Sequence, residues 1–215
     1  MVQKTASQPG AAKGRPRSFD TDEVLRQVRD AFLRYGFSGT SMDQLASATG
    51  LHKPSLYGAF GDKKQLYLRA LDQYLDEVRL EIGAALSQPR LIDSLRQLID
   101  GSIKLFTRQG GGGCFMMSTA VPEAREDPEI SQFIRDAMDS LEHALVRRLE
   151  KAADAGEISR DADPRALAMI LVANHYDLSA RARAGYPVKE LQDLGDRTIK
   201  LVCDIGGISR GEGPA

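Results

Sequence analysis

Residues 50–60 read GLHKPSLYGAF, and this stretch decides how the N-terminal third of the chain folds. Gly50 is suited to ending the segment before it, because glycine readily adopts the left-handed conformation that closes a helix. Pro54 fits the first turn of a new helix, where its missing N–H costs no hydrogen bond. Leu56 and Phe60 lie one turn apart and are expected to face inward. The stretch therefore predicts a tight turn followed by a short helix.

Two further helices are predicted before this turn. The first covers about residues 20–36, where Asp20 and Glu23 fit a capping box. The second lies in TSMDQLASATG, residues 40–50, where Ser41 and Gln44 fit another. A helix, a tight turn and a short helix have the spacing of a helix-turn-helix motif. Such a motif places the N-terminal half of its second helix in the major groove of DNA.

The rest of the chain also has helical patterns, and no strand pattern longer than four residues occurs. The dipeptides Asp127-Pro128 and Asp163-Pro164 each suit a helix start, because the aspartate caps and the proline takes the first position. The glycine run 110–113 is a helix break. The predicted later helices cover about residues 62–86, 90–107, 114–121, 128–156, 164–185 and 188–206. We predict an all-α fold of about nine helices.

Composition narrows the class of protein. Hydrophobic residues make up 42% of the 215 residues, which is enough for a real core. No apolar run reaches the roughly 18 residues of a membrane span, and no secretory signal is visible. The two cysteines, Cys114 and Cys203, are far apart in sequence, which favours a reducing compartment without disulfides. We therefore expect a cytoplasmic protein with no membrane partner, and we expect no cofactor and no metal.

Charge is distributed unevenly along the chain. Residues 1–70 carry 11 Lys/Arg against 6 Asp/Glu, or +5, whereas residues 71–215 carry 18 against 24, or −6. A basic N-terminal module on an acidic body suggests binding to a polyanion. The segment KGRPR, residues 13–17, is a proline-stiffened cationic arm of the kind that follows a minor groove.

Several side chains in and around the motif suit contact with DNA. Lys53 has the reach for a phosphate or a guanine edge, Ser55 suits either, and Tyr57 offers a hydroxyl and a flat ring. Thr40 and Ser41 lie where a helix N-terminus points its N–H groups at a phosphate. The predicted DNA-binding residues are Arg15, Arg17, Thr40, Ser41, His52, Lys53, Pro54, Ser55, Tyr57, Lys63 and Lys64. A helical hairpin that only packs, without binding DNA, is the alternative at this point.

Residues 14–74 resemble the DNA-binding region of the TetR family of bacterial transcription regulators. The resemblance rests on F…GF.GTSM..LA…G, PSLY..FGDK and LY..AL..Y at the family's spacing. It implies an all-helical homodimer that binds a palindromic DNA operator, with Thr40, Lys53, Ser55, Tyr57 and Lys64 as contacts. His52 departs from the pattern, because many relatives have Ser or Thr there as a cap and phosphate contact. The implied domains are an arm over 1–18, a helix-turn-helix domain over 19–65 and a ligand-binding and dimerisation domain over 66–210.

The C-terminal part is predicted to hold a small-molecule effector. The stretch GGGGCFMMSTAVPEAREDPEI, residues 110–130, resembles a subgroup of the same family without indicating a ligand. Apolar, Met-rich walls with a few polar groups suit a small, mostly apolar molecule. The predicted ligand-binding residues are Phe106, Cys114, Phe115, Met117, Met138, His143, His175 and Tyr176.

Apolar stripes on the last two helices predict the dimer interface, because two such helices per subunit can form a four-helix contact. Its predicted residues are Leu167, Ile170, Leu171, Asn174, Leu178, Leu191, Leu194, Thr198, Leu201, Val202 and Ile205. The alternative is that these stripes are buried in their own domain.

Cys114 raises a separate question, because it follows four glycines and opens a predicted helix. A helix N-terminus lowers a thiol pKa, which would make Cys114 a sensor of electrophiles or oxidants; the alternative is a buried, inert thiol. Two other functions remain open. One is a small cysteine-dependent enzyme acting on an activated ester, with His143 or His175 as the base, although G-x-S-x-G and H-E-x-x-H motifs are missing. The other is a helical adaptor that binds no DNA.

Overall fold

The computed structural model describes residues 19–108 and 112–208 of the chain. In these two stretches the fold is all-α, as predicted, and contains no strand. The helices are α1 (Thr21–Tyr35), α2 (Met42–Thr49), α3 (Lys53–Phe60), α4 (Lys63–Leu86), α5 (Leu91–Thr107), α6 (Pro128–Asp154), α7 (Pro164–Arg183) and α8 (Val188–Gly206). The boundaries follow the predicted ones closely, and those of α8 coincide with the prediction.

The starts of α1, α2 and α4 are fixed by side-chain caps, whereas His52 at the start of α3 makes no capping hydrogen bond. Ser41 and Gln44 form the predicted capping box of α2, and Asp62 and Gln65 form an equivalent one on α4. On α1 only one of the two hydrogen-bond sets of the predicted Asp20–Glu23 capping box forms. Asp20 accepts the N–H groups of Asp22 and Glu23, but the Glu23 carboxylate accepts from Arg26 and Gln27 instead of returning to the cap.

The segment between α5 and α6 is less regular than the predicted helix over 114–121. Met116–Ala120 forms one π-helical turn, and Val121–Glu123 a 3₁₀ turn. The Val121 N–H bonds to the Met116 carbonyl five residues back, and Pro122 has no N–H to donate. An α-helix therefore cannot continue through this point.

Helices α1 to α3 form a small headpiece around buried side chains, which include Val28, Phe32, Leu45, Leu56 and Phe60. The long helix α4 packs against α1 at its start and against α5 and α6 further along, so it joins the headpiece to the C-terminal bundle. In the bundle, α7 packs against α5, α6 and α8, and α8 also packs against α5. The cavity described below lies within this bundle.

Candidate functional site

The α2–α3 turn presents one face of α3 to solvent. Leu45 on α2 and Leu56 and Phe60 on α3 are almost fully buried, so they hold the two helices at a fixed angle. The opposite face of α3 carries four exposed residues with predicted DNA contacts: His52, Pro54, Ser55 and Tyr57. Tyr57 is 49% exposed although it is aromatic. A tyrosine held out in water beside small polar groups suits a surface that meets a sugar-phosphate backbone.

Lys53 lies on the same face and is paired within the chain. Its Nζ is 2.6 Å from Oδ1 of Asp43, which lies in the first turn of α2. The Asp43 side chain is largely exposed, so this pair contributes little stability and can exchange for a phosphate. Asp43 is thus the residue that a phosphate would displace if Lys53 contacts DNA as predicted.

Thr40 and Ser41 differ in what they offer to a ligand. Ser41 is exposed, and its side chain caps α2. Thr40 is only 2% exposed, and its hydroxyl donates to the Gly36 carbonyl at 2.6 Å. The sequence predicted a DNA contact for Thr40, but in this structure its side chain closes the α1–α2 loop.

Lys63 and Lys64 are both held by intramolecular contacts. Lys63 Nζ donates to the carbonyls of Phe37 and Thr40, each at 3.1 Å. Lys64 Nζ lies 2.7 Å from a carboxylate oxygen of Asp127 and 2.8 Å from one of Glu129. Hydrogen bonds to these carboxylates raise the pKa of Lys64, and the same contact lowers the pKa of Asp127. Both lysines were predicted as DNA contacts; in this structure they join parts of the chain, and their contact with DNA stays a prediction.

The two arginines of the basic arm, Arg15 and Arg17, lie outside the described residues.

A cavity of about 340 Å³ lies among α4, α6 and α7. Its walls are mainly apolar, and α4 and α6 each present one helical face to it, because their lining residues recur every three to four positions. Segment 112–127, the stretch that leads into α6, contributes Cys114 and Met116. The full lining is Tyr74, Leu75, Val78, Arg79, Ile82, Gly83, Cys114, Met116, Ala137, Ser140, Leu141, Ala144, Arg147, His175 and Tyr176.

Three of the eight predicted ligand-binding residues line this cavity: Cys114, His175 and Tyr176. Phe106 and Phe115 are fully buried side chains of the core, and neither borders the cavity. Met117, Met138 and His143 also lie outside its lining, and the methionine that does line it is Met116. The sequence reasoning missed the α4 wall altogether. Its signal was the spacing of Tyr74, Val78 and Ile82 along one helix face.

Cys114 is buried at the inner end of the cavity. The Tyr74 hydroxyl donates to its Sγ at 3.4 Å, and its own N–H donates to Ser179 Oγ at 2.8 Å. Burial raises the pKa of the Cys114 thiol. The expected lowering by a helix N-terminus was therefore wrong, because the π turn that follows is short and the surroundings exclude water. Gly113 is required just before it, since it has φ +68° and a side chain there would meet the Ser179 carbonyl.

His175 is a buried, neutral base. Its Nδ1 lies 3.0 Å from Ser102 Oγ, and its ring packs edge-on against Phe106 with centroids 5.0 Å apart. Burial lowers its pKa to about 4. The enzyme alternative paired Cys114 with a histidine. In the structure, the Cys114 thiol forms a hydrogen bond with Tyr74 and the His175 imidazole forms one with Ser102. This arrangement is not a nucleophile–base pair.

The predicted dimer residues are mostly used within the chain. Seven of the eleven are buried in their own subunit, because α7 packs on three neighbours: Leu167, Leu171, Asn174, Leu178, Leu191, Thr198 and Val202. Ile170 and Leu194 are half-buried, and Leu201 and Ile205 remain about half exposed. A different stripe of α7 faces solvent, with Met169 at 65% exposure and Ala173 and Ala180 also exposed.

No helix in the described part of the chain is long and apolar enough to cross a membrane. Across residues 19–108 and 112–208, His, Cys, Asp and Glu side chains form no group of three suited to a metal ion.

Comparison with known proteins assigns both halves of the chain to one family. Residues 25–70 match the family model described as bacterial regulatory proteins, tetR family. Residues 92–188 match the model described as tetracyclin repressor-like, C-terminal domain. A TetR transcriptional regulator from Rhodococcus sp. RHA1 is 30% identical over 85% of this chain and 98% of its own, with a TM-score of 0.58. The chain belongs to the TetR family.

Other TetR-type regulators match over nearly the same length. The HTH-type transcriptional regulator YezE of Bacillus subtilis is 29% identical over 88% of this chain and 99% of its own. The HTH-type transcriptional repressor ComR of Escherichia coli is 27% identical over 88% and 92%. The TetR family regulator CifR, solved as a cysteine mutant with 26-bp operator DNA, is 26% identical with a TM-score of 0.78, over 86% and 98%. The protein is thus a DNA-binding transcriptional regulator and not an enzyme.

Proposed function

We propose that this TetR-family protein is a repressor that binds a palindromic operator as a homodimer and leaves it when an effector fills the cavity. The observation that carries the proposal is that one chain has both an exposed face on α3 and a largely apolar, partly open cavity in its helical bundle. CifR, a structural neighbour, was solved with a 26-bp operator, and ComR is named a repressor. The operator complex of CifR and the repressor name of ComR support the same function for this chain.

The proposed DNA-binding surface contains fewer residues than the sequence alone suggested. Lys53, Pro54, Ser55 and Tyr57 of α3 are assigned to DNA, with His52 and Ser41 at the N-caps of α3 and α2. Lys53 is the base-reading candidate, because a lysine in a recognition helix pairs well with a guanine edge. Tyr57 and Ser55 position the helix on the phosphates. Arg15 and Arg17 keep their proposed role in the minor groove from the sequence pattern alone.

We place the dimer contact on the solvent faces of α7 and α8. Met169, Ala173 and Ala180 recur on one stripe of α7, and Leu201 and Ile205 on one stripe of α8. The alanines allow close helix approach, and the larger side chains supply apolar area. A two-fold contact of this kind presents two α3 helices to successive half-sites about one helical turn apart.

Segment 112–127 offers a route from the cavity to the headpiece. It begins with Cys114 and Met116 in the cavity wall. Thr119 then shares a hydrogen bond of 2.8 Å with the Tyr67 hydroxyl on α4. At its end, Glu123 accepts from Ser38 in the α1–α2 loop, and Asp127 pairs with Lys64. We call the Ser38–Glu123 and Lys64–Asp127–Glu129 contacts the clasp.

An effector that widens the cavity would therefore act on both α4 and the clasp. The two α3 helices of a dimer would then change their spacing, and DNA affinity would fall. The effector needs only a preference for the non-binding state, since about 1.4 kcal/mol of preference changes DNA affinity tenfold. A second route, attack by an electrophile on Cys114, is favoured by its place in the cavity wall and opposed by its raised pKa.

The test is selection of bound sequences from random duplex DNA by the purified protein. We expect an enriched palindrome for the wild type. The Lys53→Ala/Tyr57→Ala variant should bind that palindrome about tenfold or more weakly, because it loses a base contact and a phosphate contact.

The matched control replaces the same residue types outside the exposed α3 surface, as Tyr186→Ala/Lys189→Ala in the α7–α8 turn and the first turn of α8. It should recover the same palindrome with wild-type affinity. Failure of the wild type to enrich any sequence at low salt would refute the proposed function. A palindrome bound equally well by the Lys53→Ala/Tyr57→Ala variant would refute α3 as the reading helix.

A further inference from the structure

The charge of the cavity wall is all of one sign. Arg79 on α4 and Arg147 on α6 are its only charged side chains among the residues that line it, and no carboxylate joins them. His175 adds no charge near neutral pH, because burial lowers its pKa to about 4. Two cations and no carboxylate among the lining residues favour an anionic ligand, although Asp76, which lies outside the lining, pairs with Arg79.

Both arginines are available to a ligand. Arg147 is exposed and forms no ion pair with any residue in the described stretches. Arg79 pairs with Asp76 one turn earlier on the same helix, at 2.8 Å. That pair is solvent-exposed on both sides and so is worth little. A ligand carboxylate can take the place of Asp76 at small cost.

The positions of the polar groups determine how a ligand is oriented in the cavity. Arg79 and Arg147 are exposed and therefore lie at the solvent edge of the cavity, whereas Tyr74, Cys114 and His175 are buried. The buried polar groups already have partners within the chain, since Tyr74 donates to Cys114 and His175 pairs with Ser102. The Tyr74 hydroxyl and His175 Nδ1 are thus already paired within the chain, and the solvent edge favours an anion.

We propose that the effector is a small organic acid with an apolar body. Its carboxylate binds the Arg79 and Arg147 guanidinium groups at the solvent edge, because the planar fork of arginine matches a carboxylate. Its apolar chain or ring packs against Leu75, Val78, Ile82, Leu141 and Ala144. The cavity of about 340 Å³ is near the lower end of ligand sites, roughly 300–1,000 Å³, and this limits the acid to a small one.

This inference deepens the proposed function, because it names the class of molecule that the same cavity takes. It is tested on the full chain without DNA, so it can fail independently. The probes are hexanoate, octanoate, decanoate and 4-phenylbutyrate, each beside the alcohol of the same carbon skeleton. Titration calorimetry measures the affinity of every member.

We expect at least one acid to bind about tenfold or more tightly than its alcohol, as a charge-assisted contact would give. The Arg79→Gln/Arg147→Gln variant should reduce that preference to within about threefold while still binding the apolar body. The control Arg96→Gln/Arg135→Gln removes two exposed arginines that do not line the cavity and lowers the net charge equally. This control should keep the wild-type preference for the acid over the alcohol. Circular dichroism of each variant verifies that it is folded.

Three results would overturn the inference: equal affinity for acid and alcohol, no binding by any acid of the panel, or an unchanged preference in the Arg79→Gln/Arg147→Gln variant. A recovered operator together with any of these would leave the proposed regulator intact and remove only the ligand class. If the protein binds an acid of the panel but enriches no operator, the ligand class stands and the proposed regulator is refuted.

Discussion

His175 is held neutral inside the bundle, and this has a consequence for stability at low pH. An unfolded histidine has a pKa near 6.5, whereas burial lowers that of His175 to about 4. Between these values the unfolded chain binds a proton that the folded chain does not, so stability falls as pH drops through this window. The loss reaches at most about 3 kcal/mol near pH 4, at about 1.4 kcal/mol per pKa unit.

Urea unfolding at pH 7, 6, 5 and 4 measures this loss. His175→Asn keeps a polar group near Ser102 and should flatten the pH dependence by that amount, even though it lowers stability at neutral pH. The control His143→Asn replaces an exposed histidine outside the cavity and should retain the wild-type slope. Equal slopes for His175→Asn and the wild type would show that His175 is not the group responsible.

Cys114 combines a place in the cavity wall with a thiol that ionises poorly. Because the thiolate is the reactive form, a raised pKa slows its alkylation at neutral pH. We expect iodoacetamide to modify Cys114 about tenfold or more slowly than a free cysteine of ordinary pKa. Cys203→Ser isolates the reaction, since Cys203 is the other cysteine of the chain. Fast modification of the folded Cys203→Ser variant would restore the electrophile route, which loss of release in Cys114→Ser would then support.

At the scale of elements, the clasp holds segment 112–127 onto the headpiece. Its contacts lie at the surface and depend on long side chains, so each is weak, but they fix where the segment ends. In Ser38→Ala/Lys64→Gln we expect the amides of residues 119–127 to exchange hydrogen about two- to fivefold faster, because local opening becomes easier. Hydrogen exchange with mass spectrometry measures this.

The control for the clasp is Ser159→Ala/Lys189→Gln, which alters a surface turn and an exposed ion pair elsewhere. It should leave exchange in residues 119–127 unchanged. If the clasp carries the effector signal, the Ser38→Ala/Lys64→Gln variant also keeps operator binding and releases DNA less completely with effector. Unchanged exchange in that variant would mean that the clasp does not restrain the segment.

The elements could be predicted from sequence because their signals are local. Ser41 with Gln44 is read directly from neighbouring letters, and this capping box is confirmed. The cavity could not be predicted in the same way, because α4, α6 and α7 contribute to it from positions about one hundred residues apart. Periodicity indicated that one stripe of α7 is buried, but not which neighbour covers it. Leu167 and Leu178 were thus predicted at a dimer contact, although they pack within the chain.

At the scale of the whole molecule, the solvent faces of α7 and α8 decide whether two headpieces can read one operator. Met169 is 65% exposed beside the exposed Ala173, and Ile205 is 51% exposed one turn from the exposed Leu201, so each face presents neighbouring apolar side chains that a partner can cover. A glutamate at either site would carry a charge into the proposed contact and leave it without a partner. We expect Met169→Glu and Ile205→Glu each to weaken self-association about tenfold or more, measured by analytical ultracentrifugation.

Operator binding should fall with self-association in these variants, because one headpiece alone contacts only a half-site and loses the avidity of two. Leu80→Glu is the matched control, since Leu80 is 76% exposed on α4, outside the proposed contact. It should sediment and bind DNA as the wild type does. A wild type that sediments as a monomer at micromolar concentration, or a Met169→Glu variant that remains fully dimeric, would contradict the proposed interface. In the second case the dimer contact would lie on another face, and the half-site spacing argued from α7 and α8 would no longer hold.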